Sequence, residues 1–151
     1  MKVKDGRETI TSKIAYIAGF FDGEGCVRIK EANKGENSFY VIAHLTNSYK
    51  PVLEEVQELF GGALRRQERT PNKTIYNWCV SSAEAVDFLQ VISPFLKEKL
   101  PQAKFAITFH AAKGKLTGAQ KRKWAKRISE MKREVIGNIY ENPELLNNNK
   151  S

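Results

Sequence analysis

The stretch IAGFFDGEGCVRI, residues 17–29, decides the fold because its hydrophobic pattern changes from helical spacing to strict alternation. Between the two patterns stand two acids, Asp22 and Glu24, each followed by a glycine. A carboxylate at a helix C-terminus faces the negative end of the helix dipole, which is unfavourable without a nearby cation or donor. Glu24 therefore either points into water or has a compensating partner, and this stretch alone leaves both explanations open.

Working outward, hydrophobic period and turn residues predict an α+β fold with element order αββαββα and further helices at the C-terminal end. Thr11 or Ser12 is the expected cap of the first helix. The predicted ranges are helix 13–21, strands 26–32 and 38–46, helix 51–60, strands 64–69 and 75–80, helix 83–92, and helices 101–112 and 117–136. We expect one domain: an N-terminal arm (1–10), a core (11–112), a basic helical region (117–146) and a disordered tail (147–151).

The composition restricts the possible partners. The 151 residues include 25 Lys and Arg against 17 Asp and Glu, a formal charge of +8 that attracts polyanions. No apolar run approaches the roughly 20 residues of a membrane span, and the N-terminal residues lack the apolar stretch of a secretory signal. Two cysteines and two histidines are too few for a zinc site or a disulfide framework. These observations predict an intracellular protein in a reducing compartment, with no membrane association and no small-molecule cofactor.

One face of the predicted sheet is polar and carries no acid. Its outward positions are Arg28, Lys30, Ser38, Tyr40, His44, Arg65, Gln67, Arg69 and Asn77. An ordinary solvated sheet face alternates charge sign, whereas this set consists mostly of hydrogen-bond donors suited to phosphates and base edges. The pattern favours nucleic-acid binding over an inert basic surface, although composition alone leaves the second possibility open.

The motif IAGFFDGEG, residues 17–25, resembles the nine-residue signature of the LAGLIDADG homing endonucleases, and the predicted element order is similar to that family's fold. The resemblance implies a saddle-shaped antiparallel sheet on double-stranded DNA. Because the chain has one motif, it also implies a homodimer and a near-palindromic target. The expected dimer interface comprises Ala15, Ala18, Gly19 and Asp22, with Asp22 bonding across the dimer axis.

The same resemblance assigns the catalytic residues. Glu24 matches the metal-binding acid, and the carbonyl of Gly23 is the expected second ligand. Asn47 takes the place of a water-orienting glutamine, and Lys99 matches the active-site lysine, with Lys97 as the alternative. The implied metal is Mg²⁺, with Mn²⁺ as a substitute and Ca²⁺ supporting binding without cleavage.

The function implied is an intron-encoded, site-specific endonuclease that makes double-strand breaks in DNA. A cleavage-inactive intron RNA maturase or a DNA-binding regulator on the same fold is the alternative, and a basic structural domain without a nucleic-acid role is a third possibility.

Overall fold

The computed structural model describes residues 9–69 and 71–141, with side chains described as far as residue 131. Within this part of the chain the elements are α1 Ile10–Glu24, β1 Gly25–Glu31, β2 Phe39–Asn47, α2 Lys50–Phe60, β3 Ala63–Arg69, β4 Lys73–Ser81, α3 Ser82–Ile92, α4 Leu100–Ala112 and α5 Gly118–Glu141. The predicted α+β class and the order αββαββα are confirmed. The first eight residues of the predicted arm, Thr70 of the second turn and the predicted tail lie outside the described residues.

Helix α1 is longer than predicted at both ends. Its N-cap is Thr9, whose hydroxyl oxygen accepts from the backbone N–H of Ser12 at 3.0 Å, so the prediction of Thr11 or Ser12 as the cap was wrong. At the other end the helix continues through Gly23, and the N–H of Gly25 donates to the carbonyl of Phe21. Glu24 therefore belongs to the last turn of the helix.

The four strands form one antiparallel sheet in the order β1-β2-β4-β3. One face is covered by helices and forms the core, and the other face is hereafter called the outer face. The alternation predicted for β2 is confirmed, because Phe39, Val41, Ala43 and Leu45 are buried while the residues between them are partly exposed. A strand with one buried face has a strongly specified register, since a shift by one residue would expose every core side chain.

The core centres on Phe88 of α3. Its ring makes edge-to-face contacts with Phe21 of α1, Phe60 of α2 and Trp78 of β4, at centroid distances of 5.3, 4.9 and 4.9 Å. Trp78 is fully buried, and its indole N–H donates to the carbonyl of Gly61 at 2.7 Å. These contacts join three helices to the sheet and fix the direction in which α1 meets β1.

Helix α5 lies against β1 and α4. Ile128 is 1% exposed, and Trp124 packs on Phe105 and Phe109 of α4 at 4.6 and 5.7 Å. Among the described helices, none combines the length and the apolar character that a bilayer crossing requires. The apolar side of α5 thus faces the domain, while most of its basic side chains as far as Arg127 are exposed.

Gly62, in the turn from α2 to β3, allows a direct test of the packing around Trp78. Its φ is +92°, and a Cβ there would lie 2.6 Å from the carbonyl oxygen of Cys79 and 2.6 Å from Cγ1 of Val80. We expect Gly62→Ala to lower the free energy of unfolding by about 3 kcal/mol, from positive-φ strain and overpacking together. That loss corresponds to a melting temperature lower by about 6 °C or more.

The matched control is Gly114→Ala, because Gly114 has no positive φ and a Cβ there would meet nothing within 4 Å. Thermal unfolding of both variants at one protein concentration should separate them. Equal melting temperatures for the two variants would contradict this account of the turn.

Candidate functional site

The outer face carries the predicted DNA-binding residues in rows across the strands. The pairing register sets Lys30 opposite Tyr40, and Arg65 opposite Asn77. Nearer the middle, Cys26, His44 and Cys79 form one row on β1, β2 and β4. Arg28, Gln67 and Arg69 share this face, and Ser38 is exposed in the connection immediately before β2. Within the described residues the outer face contains no Asp or Glu, as the sequence predicted.

Asn77 joins two neighbouring side chains of the outer face. Its Oδ1 accepts from the Thr46 hydroxyl at 2.5 Å, and its Nδ2 donates to Oε1 of Gln67 at 2.9 Å. Both ends of the Asn77 amide therefore have a partner inside the protein, and each end keeps one further acceptor or donor position, so DNA contact by Asn77 stays a prediction. Thr46 had no predicted role, because its hydroxyl gains significance only once β2 and β4 are paired.

Asp22 connects the end of α1 to the beginning of α4. Its Oδ2 accepts from the N–H of Lys97 at 2.8 Å, and its Oδ1 accepts from the N–H of Lys99 at 3.0 Å. A carboxylate is favourable there because the N-terminus of a helix is its positive end. In the protomer Asp22 is thus an intrachain anchor, and its bond across the dimer axis stays a prediction.

Lys99 is the N-cap residue of α4 and is only 5% exposed. Its ammonium donates to the main-chain carbonyl of Asp22 at 2.5 Å and lies 4.0 Å from the exposed carboxylate of Glu98. A cation at the C-terminus of α1 offsets the unfavourable position of the acids there. Lys97, the alternative lysine, is exposed and has no side-chain partner in the described part of the chain.

Glu24 is exposed, and among the described residues its carboxylate has no hydrogen-bond or ion-pair partner. The Gly23 carbonyl belongs to the last turn of α1, where carbonyls lack intrahelical partners. No three acids, cysteines or histidines in the described ranges come close enough together to hold a metal ion. These donors fit Mg²⁺ nonetheless, because this ion commonly takes one or two carboxylates and completes its shell with water and substrate phosphate.

Asn47, the last residue of β2, is half-buried beside this region. Its Oδ1 accepts from the N–H of Tyr49 at 2.8 Å, which closes an Asx turn before α2. The amide N–H₂ of Asn47 has no partner among the described residues, so both of its donors can bind solvent.

One side of α1 is a stripe of small and aromatic residues outside the core. Gly19 and Gly23 are exposed, and a Cβ at either position would meet nothing within 4 Å in the protomer. Tyr16, one turn before Gly19, is 60% exposed, whereas Ala15 is half-buried. Ala18 was predicted to lie on this side, but it is fully buried in the core. The prediction for Ala18 is therefore wrong, because the helix places it on the same face as the core residues.

An ion pair holds α5 to the β1–β2 connection. The carboxylate of Glu31 accepts from Arg122 at 3.1 and 3.3 Å and from the backbone N–H groups of Gly35 and Asn37. Arg122 also donates to Oδ1 of Asn37 at 2.9 Å, and its guanidinium stands 5.3 Å from the ring centroid of Phe39. Sequence analysis did not predict this pair, since its members are 91 residues apart.

The Glu31–Arg122 ion pair predicts a pH-dependent contribution to stability. The hydrogen bond from Arg122 lowers the pKa of Glu31 below its ordinary value of 4.5, aided by the backbone donors and opposed by desolvation. A lowered folded-state pKa stabilises the protein above the unfolded value and ceases to do so as the pH falls through the folded value. The melting temperature of the wild type should therefore exceed that of Glu31→Gln near neutral pH, and the gap should close in acid. Glu58→Gln, at an exposed α2 position, is the control, and a gap independent of pH would refute the assignment.

In the part of the chain that the structure describes, these features define an α+β domain with a sheet face free of acids. Beside that face an apolar helix ends in a carboxylate without a partner, close to a buried lysine. A family model described as a LAGLIDADG-like domain matches residues 11–93, more than half of the chain. The chain belongs to the LAGLIDADG homing endonuclease family, which confirms the predicted resemblance.

Solved structures of this family share the fold. The homing endonuclease I-CvuI, bound to its target in the presence of 2 mM calcium, is similar with a TM-score of 0.66 and 20% identity, covering 80% of this chain and 82% of that one. The archaeal intron-encoded homing endonuclease I-Vdi141I, in complex with DNA, is similar with a TM-score of 0.67 and 19% identity, covering 82% of this chain and 86% of that one. The LAGLIDADG homing endonuclease I-LtrWI, bound to target DNA, is similar with a TM-score of 0.54 and 19% identity, covering 89% of this chain but 48% of that one. A comparison with curated protein sequences gave no match.

Proposed function

We propose that this protein is a homodimeric, divalent-metal-dependent endonuclease that makes a double-strand break in a long, near-palindromic DNA target. The observation that carries the proposal is the exposed Glu24 carboxylate, which has no partner among the described residues. It stands in the last turn of a helix whose Asp22 carbonyl binds the buried Lys99 ammonium. The acid-free outer face supplies the matching DNA surface.

The open side of α1 supports the dimer. Among the described residues, nothing lies within 4 Å of a Cβ built at Gly19 or Gly23, so packing in this part of the chain does not account for the two glycines. Their presence is explained if a second copy of α1 packs against this stripe, because small residues allow two helix backbones to approach closely. Such a C2 arrangement brings two copies of Glu24 near the symmetry axis and gives the protein the symmetry of a near-palindromic target.

Each residue of the site has a role in phosphodiester hydrolysis. Glu24 and the Gly23 carbonyl would hold the divalent cation, which would supply charge neutralisation at the phosphate and make water a better nucleophile at neutral pH. Lys99, fixed by Asp22, places a positive charge beside the phosphate as negative charge develops on it. The free amide N–H₂ of Asn47 orients solvent. On each half of the target the outer face binds the major groove, where strands and donor side chains can contact base edges.

Two Glu24 carboxylates near the dimer axis would repel each other, and a bound divalent cation would offset that repulsion. This accounts for a metal site that a single protomer does not complete. Many members of the family carry aspartate where this chain has Glu24, and the exposed position of Glu24 in the last turn of α1 leaves space for the longer side chain.

The test is selection and cleavage of a randomised DNA library by the wild type. With Mg²⁺ or Mn²⁺ we expect enrichment of one near-palindromic site, with both strands cut and short 3′ overhangs; with Ca²⁺ we expect binding of the same site without cleavage. Selection of a site that is never cut would replace this proposal with a DNA-binding regulator. Failure on DNA combined with binding of structured intron RNA would indicate a maturase.

A further inference from the structure

A cavity of about 190 Å³ lies where β1, the beginning of α4 and α5 meet. Two of the residues that line it, Arg28 and Ser129, are exposed. Three others, Lys99, Gln102 and Ile128, are only 5%, 7% and 1% exposed. The cavity therefore has a solvent-facing side at β1 and α5 and a buried side at the beginning of α4.

The buried side of the cavity contains a polar group without a partner. The Gln102 amide makes no hydrogen bond within the described part of the chain, although the residue is 93% buried, being 7% exposed. A buried amide is costly unless it is hydrogen-bonded, so such a group calls for a ligand or for water. Among the described residues, the side-chain atom that is both sealed from solvent and unpartnered is Nδ1 of His110. The Gln102 amide is thus not sealed, and the cavity that it lines gives access to it.

The lining of the cavity is cationic. The Arg28 guanidinium has no hydrogen-bond or ion-pair partner among the described residues, and Lys99 is the N-cap of α4, whose N-terminus is its positive end. No carboxylate lines the cavity in the described ranges. The Ser129 hydroxyl donates to the carbonyl of Ala125 at 3.3 Å, which is longer than an ordinary O–H···O bond, so it can turn to a ligand. These groups are suited to an anion.

The size and the position of the cavity favour a phosphate group of DNA. One water takes about 30 Å³ in the liquid, so the cavity holds about six such volumes and has room for the five atoms of a phosphate. Strand β1 is an edge strand, and its residues Cys26 and Arg28 line the cavity from the outer face. The backbone of a duplex on that face borders the groove and would pass this edge. Lys99 lines the cavity and Glu24 does not, which separates this phosphate from the one that is cut.

We propose that this cavity binds a non-scissile phosphate of the DNA backbone, with Arg28, Gln102 and Ser129 as its hydrogen-bond donors. The proposal rests on the DNA-binding function argued above. It gives a role to Gln102 and Ser129, for which the sequence predicted none, and it explains why a buried amide has no partner in the free protein. Phosphate contacts fix the position of a protein on the duplex, so this one would hold the strand close to the cut.

The test is methylphosphonate scanning of the selected DNA site. Each phosphate is replaced in turn by an uncharged methylphosphonate, and the dissociation constant is measured in Ca²⁺, so that cleavage plays no part. For the wild type, one non-scissile position in each half-site should cost about tenfold or more in affinity, because hydrogen bonds to a charged group are the stronger ones.

Gln102→Met keeps the length of the side chain but removes the amide. It should weaken binding of unmodified DNA by about tenfold or more. The methylphosphonate penalty at the identified phosphate should shrink by about threefold or more, since part of the interaction is already absent, while the penalties at other phosphates stay unchanged. Gln90→Met makes the same change at an exposed α3 position and should bind like the wild type.

Thermal unfolding separates a role in binding from a role in the fold. Replacing an unpartnered buried amide with an apolar side chain removes a desolvation cost, so free Gln102→Met should melt at the wild-type temperature or above it. A lower melting temperature would mean that the amide supports the fold, and it would overturn the proposal.

An unchanged methylphosphonate pattern in Gln102→Met overturns this inference while the DNA-binding function stands. The same holds if inorganic phosphate, at constant ionic strength, raises the melting temperature of the wild type but no DNA phosphate depends on Gln102, because the cavity would then take a free anion. If the wild type selects no site from the library, the proposed function fails and this inference fails with it.

Discussion

Glu24→Gln is expected to abolish DNA cleavage, with a loss of about 10³-fold or more, while binding of the selected site in Ca²⁺ is retained. The substitution keeps the size of the side chain but removes the charge that holds the cation. Several kcal/mol of transition-state stabilisation depend on that cation, which corresponds to at least about three factors of ten in rate. Because the Glu24 carboxylate is exposed and has no partner among the described residues, the fold should not respond to its loss.

The measurement is single-turnover cleavage of the selected site in Mg²⁺, together with binding in Ca²⁺ and thermal unfolding. Glu58→Gln makes the same chemical change at an exposed position on α2 and should cleave like the wild type. Equal cleavage by wild type and Glu24→Gln would remove Glu24 from the metal site. Loss of binding together with cleavage would show that the carboxylate acts in assembly rather than in chemistry.

The second large effect is expected from Gly19→Leu, which should give a folded monomer. In the protomer a Cβ at Gly19 meets nothing within 4 Å, and replacing a helix-interior glycine improves helix propensity. In the proposed dimer two new leucine side chains would separate the paired helices. Overpacking at both copies should raise the dimer dissociation constant by about 10²-fold or more and remove double-strand cleavage.

Sedimentation velocity and circular dichroism test this directly: the wild type should sediment as a dimer, and Gly19→Leu as a monomer with an unchanged helical spectrum. Gly114→Leu adds the same side chain at another glycine with open space around its Cβ and should remain dimeric. A wild type that is monomeric both free and on DNA, or a Gly19→Leu variant that stays dimeric, would refute the proposed interface.

The local pattern of residues was sufficient for most of the fold. Helix and strand periods depend on neighbours two to four positions apart, so the order αββαββα, the one-sided burial of β2 and the acid-free outer face could all be predicted. Helix ends were less well predicted. Capping by Thr9 and continuation of α1 to Glu24 depend on one hydrogen bond at each end, which several nearby residues are equally able to make.

What only the tertiary structure decided is which residues meet across long separations. The Asp22 carboxylate accepts hydrogen bonds from backbone N–H groups 75 and 77 residues further along the chain. Thr46 donates to Asn77 across a separation of 31 residues, and Arg122 donates to Glu31 across a separation of 91 residues. These partners are selected by strand register and helix packing, for which no residue carries a local signal. The sequence by itself therefore determined the family, the sheet with one polar face and the acid at the end of α1. The folded chain assigned Ala18 to the core, made Asp22 an anchor for Lys99 and made Asn77 a support for Gln67, because burial and hydrogen-bond partners depend on contacts between distant segments.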